Sequence, residues 1–131
     1  MANYSLSGRI DPLGELKKYP TFRSHARGPM SLRVDKIVDG SGNLLDASHN
    51  DRYELRIGLR RQSDGKQIVV SSSWFQHQMG QTRQLVHEGP YTATTPPSII
   101  PAGSYAVNAR LAPSFITGGT PPVTWHGLLV L

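Results

Sequence analysis

The clearest alternation of hydrophobic and polar positions lies at residues 52–61, in the middle of the chain. Apolar side chains occupy the odd-numbered positions there up to Leu59, and charged or small residues occupy the even-numbered ones. A period of two residues places these sets on opposite faces of a β-strand. Asp64-Gly65 follows as a typical hairpin turn, and residues 67–75 are rich in β-branched side chains. The pattern therefore predicts a β-hairpin.

Further strands are predicted where short runs of alternating or β-branched residues are bounded by turn residues. Residues 11–18 predict at most one helical turn, because Gly14 interrupts them. The segment before residue 104 predicts an irregular loop stiffened by proline. The additional strands are predicted at residues 3–10, 30–38, 82–87, 91–94, 104–111 and 123–131.

These elements predict a single all-β domain over residues 1–131. The chain holds 13 glycines and 10 prolines, a share that favours many turns over long helices. Seven to eight short strands predict an antiparallel β-sandwich, Ig-like or jelly-roll-like, or a small barrel. The Pro/Gly-rich loops at residues 12–29 and 111–122 are long for a compact domain, and such loops are often functional or held by a partner.

One local pattern carries a structural resemblance. The run from Ile100 to Val107, Ile-Pro-Ala-Gly-Ser-Tyr-Ala-Val, resembles the loop-to-strand transition of fibronectin type III and related Ig-like sandwiches. There a Pro-Gly loop precedes a tyrosine whose hydroxyl bonds back to the backbone. The resemblance implies a sandwich and a hydrogen bond of this kind from Tyr105. It implies no function.

Composition excludes several classes of protein. The absence of cysteine excludes disulfide frameworks, thiolate metal sites and a cysteine nucleophile. The first residues show no basic segment followed by an apolar stretch, which predicts synthesis in the cytoplasm without a signal peptide. No apolar run is long enough to span a membrane. The net charge of +5 favours contact with anionic partners.

Catalytic and cofactor motifs do not stand out from the sequence. The serine-nucleophile and nucleotide-phosphate motifs are absent, and the five histidines show no metal-ligand spacing, so we predict no catalytic, cofactor or metal residues. The histidines are interpreted as surface or rim residues. The segment from Asp39 to Asp46 has two interpretations, an oxygen-rich cation loop or a turn. Its few carboxylates favour the turn.

Five residues form the candidate interaction surface. Arg52, Arg56 and Arg60 share one face of their strand, either as a cationic stripe for an anionic surface or as an ordinary solvated sheet face. Trp125 has two interpretations as well. It is either a core residue or, with His126, a surface that stacks on a sugar ring.

The function hypotheses follow from what the sequence offers. The first is a non-enzymatic structural or assembly subunit acting through protein–protein contacts, as a homo-oligomer or within a larger assembly. A small virion component, such as a phage capsid decoration, tail or fibre-associated protein, is the example, and its location would be the virion. The alternative is a lectin-like sandwich that binds a glycan. The third is an enzyme whose site the motifs do not reveal.

Overall fold

The computed structural model describes residues 2–10, 15–44, 53–112 and 123–131, which form two antiparallel sheets packed as a β-sandwich rather than a closed barrel. This confirms the sandwich among the predicted architectures. The strands of the described ranges are β1 Asn3–Ile10, β2 Lys17–Lys18, β3 Arg23–His25, β4 Ser31–Val38, β5 Glu54–Arg61, β6 Val69–Phe75, β7 Thr82–Gln84, β8 Gly103–Ala112 and β9 Val123–Val130.

The first sheet has the order β1-β9-β4-β7, and the second has the order β2-β8-β5-β6, with β3 also pairing with β8. β1 therefore lies at the edge of the first sheet, on the same side of the sandwich as β2 and β3. Alternate side chains of the strands point between the sheets and form the core. Its fully buried members include Leu32, Val34, Leu55, Ile57, Leu59, Trp74, Tyr105, Leu111 and Leu129.

The predicted hairpin is confirmed as β5 and β6. Gly65 takes a φ of 70° in the turn, a left-handed conformation that glycine adopts without steric cost. The Asp64 carboxylate accepts a hydrogen bond from the Lys66 backbone N–H and pairs with the Arg61 guanidinium. The hydrogen bond from Arg61, followed by that from Lys66, lowers the pKa of Asp64 to about 2.

The structure corrects three local predictions. Residues 91–94 do not form a strand, because the backbones of Thr92 and Thr95 bond to each other and close a turn. Lys17–Lys18 is a strand, and so is Arg23–His25 inside a segment predicted to be a loop. Both are set by pairing with β8 rather than by their own pattern. The predicted loop at residues 111–122 lies outside the described residues from position 113 onward.

The tyrosine of the Ile100–Val107 pattern makes the expected bond. The Tyr105 hydroxyl donates to the Pro101 carbonyl oxygen at 2.7 Å, and its ring is fully buried. Removal of the hydroxyl from water raises the Tyr105 pKa. The resemblance to Ig-like sandwiches therefore holds at this position, as a statement about fold.

The surface interpretation of the histidines is wrong for two of them. His25 and His87 are buried, at 4% and 3% exposure. His87 lies against the carbonyl oxygens of Glu88 and Pro96, at 2.7 and 3.0 Å, and His25 Nε2 lies 3.2 Å from the Gly28 oxygen. These rings hydrogen-bond to backbone carbonyl oxygens of neighbouring loop residues, a role that residue spacing does not reveal.

Candidate interaction site at the edge of strand β1

The structure describes two arginines of the candidate interaction surface, and it places them in different environments. Arg56 is exposed and pairs with Glu54, which precedes it by two residues on the same strand. Arg60 instead bonds to the Tyr19 carbonyl oxygen at 2.6 Å and to the Asn108 side-chain oxygen at 2.5 Å. Arg52 lies outside the described residues. The Arg60 guanidinium is therefore engaged in contacts within the protein, and it does not form one continuous cationic surface with Arg56.

Arg60 belongs to a polar network on the outer face of the second sheet. Asn108 is 3% exposed, accepts from Arg60, and donates to Gln67, which in turn donates to Ser71. Gly58 makes room for this network, since a Cβ there would collide with the Gln67 amide. The buried amide is satisfied by its neighbours, as buried polar groups generally are.

The segment after β4 is a turn stabilised by Asp39. One Asp39 carboxylate oxygen accepts hydrogen bonds from the backbone N–H groups of Ser41 and Asn43, at 2.9 and 3.0 Å. Gly42 has a φ of 84°. The turn interpretation is confirmed for residues 39–44, and Asp46 lies outside the described residues. In the described ranges, no group of three or more His, Asp or Glu side chains is placed to hold a metal ion.

Trp125 is a core residue, which corrects the interpretation that it presents a flat ring to a sugar. Its exposure is 1%, and its indole N–H donates to the Tyr19 hydroxyl at 3.1 Å. Its ring lies against Gly8 of the neighbouring strand, where a Cβ would collide with it. His126 is half-buried and points to the opposite face of β9. The two residues therefore do not form one surface.

The backbone of β1 has one side that faces away from β9. Ala2 and Leu131 exchange both of their backbone hydrogen bonds, and the β1–β9 register runs without a break to Ile10. In an antiparallel pair, residues bonded to the partner strand alternate with residues whose N–H and C=O point away. The even-numbered residues of β1 therefore bond to β9. Asn3, Ser5, Ser7 and Arg9 direct their backbone groups to the outer edge.

A groove of about 290 Å³ runs beside this edge. We call it the edge groove. Residues 5–8 of β1 form one wall, residues 19–21 and Arg23 form the other, and Val107 and Trp125 lie at its base. Both sheets contribute, because the groove opens on the side where β1 of one sheet faces β2 and β3 of the other.

Two contacts close the ends of the edge groove. At one end the Arg23 guanidinium lies over the Tyr4 ring, 5.0 Å from its centroid. At the other end the Tyr19 hydroxyl donates to the Arg9 carbonyl oxygen at 3.1 Å while it accepts from Trp125. Between these contacts, the outward backbone groups of Ser5 and Ser7 have no partner strand among the described residues. They are the accessible part of the edge.

The Tyr19 hydroxyl provides a pH test of this geometry. Burial is the main cause that raises its pKa from 10.0 to about 12, so the unfolded chain ionises first as the pH rises. Its contribution is complete below pH 10 and is lost between pH 10 and pH 12. We expect Tyr19→Phe to be less stable than wild type by about 1 kcal/mol at pH 8, through its lost hydrogen bonds.

Urea unfolding at pH 8, 10 and 11 measures this effect. The difference in unfolding free energy between wild type and Tyr19→Phe should narrow above pH 10, because only the wild type carries the partly buried hydroxyl at this position. Tyr105 titrates in both proteins and so cancels in the comparison. A gap that stays constant to pH 11 would show that the hydroxyl is not buried as described.

Sequence reasoning missed Ser5, Ser7, Tyr19 and Arg23 as site residues. Small hydroxyl residues on a half-polar strand carry no chemical signal, and the edge position of β1 depends on strand order.

The described part of the chain holds no helix long and apolar enough to cross a membrane. No protein-family model matches the chain, and the search of curated proteins finds no match.

Proposed function

We propose that this protein is a non-enzymatic assembly subunit that self-associates by strand addition at the edge of β1. The observation that carries the proposal is the outward-facing backbone of Ser5 and Ser7, set beside the edge groove. Unpaired N–H and C=O groups on an edge strand are a template for pairing with another chain. Strand addition of this kind supplies affinity through main-chain hydrogen bonds and specificity through side-chain pockets.

Two further features support self-association. β1 is eight residues long, and its pairing with β9 through to Leu131 holds it in one register. Its outward side chains at Ser5 and Ser7 are small, so another strand can approach closely. Many sheets protect their edges with very short strands or bulges. β1 has neither over its paired length.

A virion is the setting that we propose for this assembly. Capsid decoration, tail and fibre-associated proteins of phages are small subunits whose role is to bind other copies or other coat proteins. The support is the short cysteine-free β-sandwich with an open sheet edge, together with the absence of any recognisable catalytic motif in the sequence.

Light scattering of the purified protein at several concentrations tests the proposal. We expect a defined oligomer, and we expect Ser7→Pro to shift it to the 14.4 kDa monomer. Proline removes an outward N–H at this position and leaves the bonds to β9 in place, since proline is tolerated on the solvent side of edge strands.

Ser7→Ala is the matched control, because it removes the hydroxyl and keeps the backbone N–H. It should oligomerise like wild type, and circular dichroism should show both variants folded. A wild-type protein that is monomeric at every concentration would contradict the proposal, as would an oligomer that Ser7→Pro leaves unchanged.

A further inference from the structure

We infer that the strand added at the β1 edge is β1 of a second copy, antiparallel, with a twofold axis passing beside Leu6. This inference rests on the proposed function and specifies its partner and register. It joins the first sheets of two copies into one continuous sheet. Closed twofold dimers are the commonest form of soluble homo-oligomer.

The backbone of β1 is self-complementary in this register. Pairing about Leu6 places Ser5 opposite Ser7 of the second copy, and Ser7 opposite Ser5 of the second copy. Both residues direct N–H and C=O to the outer edge, so each pair exchanges two hydrogen bonds. The four bonds lie between the two contacts that close the edge groove, in the accessible part of the edge. A shift by one residue would bring inward-bonding positions to the edge and lose these bonds.

The side chains suit the same register. On the outer face, serine lies opposite serine, so no bulky or charged side chains meet at the centre. On the inner face, the two Leu6 side chains lie opposite each other, and each adjoins the edge groove of the other copy. Leu6 keeps 8% exposure, the highest among the buried core residues, and the apolar residues that line the groove with it include Val107 and Trp125.

Charge is arranged so that repulsion stays at the rim. Arg9 lies opposite Asn3 of the second copy rather than opposite another cation. The twofold axis places both second sheets on the same side of the joined sheet, with Lys17, Lys18 and Arg23 of each copy toward the interface. Each chain also carries +5. Because salt screens repulsion between exposed charges, added NaCl should increase the dimer fraction. An acidic protein partner would show the opposite dependence.

Pairwise cysteine cross-linking tests the register, and the chain has no cysteine of its own. Ser5→Cys and Ser7→Cys are prepared separately, one of them ¹⁵N-labelled, and treated with a mild oxidant or a short bifunctional thiol reagent. Directly opposite residues have Cα atoms about 5.5 Å apart, within the range for a disulfide. We expect rapid cross-linking when the two variants are mixed. Each variant alone should cross-link at least tenfold more slowly, since Ser5 to Ser5 spans more than about 7 Å.

Each outcome decides one claim. Cross-linking confined to the mixture, with a mass equal to one labelled and one unlabelled chain, supports the twofold register. Efficient cross-linking of either variant alone overturns it. An oligomer that is sensitive to Ser7→Pro but cross-links in no combination shows that another segment occupies the edge, and the proposed function then survives without this inference. A wild-type protein that stays monomeric would contradict both the proposed function and the twofold register.

Discussion

Arg60→Met should lower the free energy of unfolding by about 2–3 kcal/mol, whereas Arg56→Met should change it by less than about 0.5 kcal/mol. Arg60 donates to the Tyr19 and Asn108 oxygens and lies over the Phe22 ring at 5.0 Å. Methionine keeps much of the side-chain length but leaves the nearly buried Asn108 amide without its donor. Arg56 is exposed and pairs with Glu54, and a surface ion pair of this kind contributes little to stability.

Urea unfolding of the two variants under identical conditions measures the difference. The comparison is matched, because both arginines lie on the outer face of β5, four residues apart. Equal losses of unfolding free energy for the two variants would contradict the arrangement around Arg60. If both losses were also small, the interpretation of this face as an ordinary solvated sheet face would hold for both arginines.

Trp125→Ala should destabilise the protein by about 3–5 kcal/mol, the range for deleting a large buried aromatic side chain. The ring fills the space over Gly8, forms part of the base of the edge groove, and holds Tyr19 in an edge-to-face contact with centroids 6.0 Å apart. Its loss leaves a cavity and removes one of the two hydrogen bonds of the Tyr19 hydroxyl. The β1 edge should therefore loosen together with the core.

His126→Ala is the matched control for Trp125→Ala. The two residues are neighbours on β9 but point to opposite faces, and His126 is only half-buried. We expect its substitution to cost less than about 0.5 kcal/mol. Thermal unfolding followed by circular dichroism compares them. A loss at His126 as large as that at Trp125 would contradict the placement of the two side chains.

The sequence predicted the parts of the fold whose signal is local. Buried and half-buried side chains alternate along β9, and β5 buries its apolar set Leu55, Ile57 and Leu59, so the period of two residues in their sequences predicted both strands. β8 was predicted from the same period, although it buries five residues in a row from Tyr105 to Ala109. β2 and β3 have two and three residues and exist because β8 lies beside them. A pattern too short to show a period cannot predict such strands, and neither their pairing nor the edge groove could be foreseen.

The arginines show the same limit at the level of the site. Arg56 and Arg60 occupy equivalent places in the alternation, and the sequence assigned them one role. Their difference arises from partners 41 and 48 residues away, Tyr19 and Asn108. The sequence left two interpretations of Trp125, as a core residue or a surface residue, for a related reason. Its environment depends on Gly8, which lies on the neighbouring strand. Long-range contacts decided each case.

Backbone amide exchange of β1, followed by NMR at low and high protein concentration, tests whether the β1 edge is open in the single chain and paired in the oligomer. In dilute protein, the Ser5 and Ser7 amides should exchange fast, while those of Leu6 and Gly8 should be protected by their bonds to β9. At concentrations where the oligomer forms, protection should rise at Ser5 and Ser7. Protection of these two amides that is already high in dilute protein, or that stays low in the oligomer, would contradict the assignment of the β1 edge as the assembly interface.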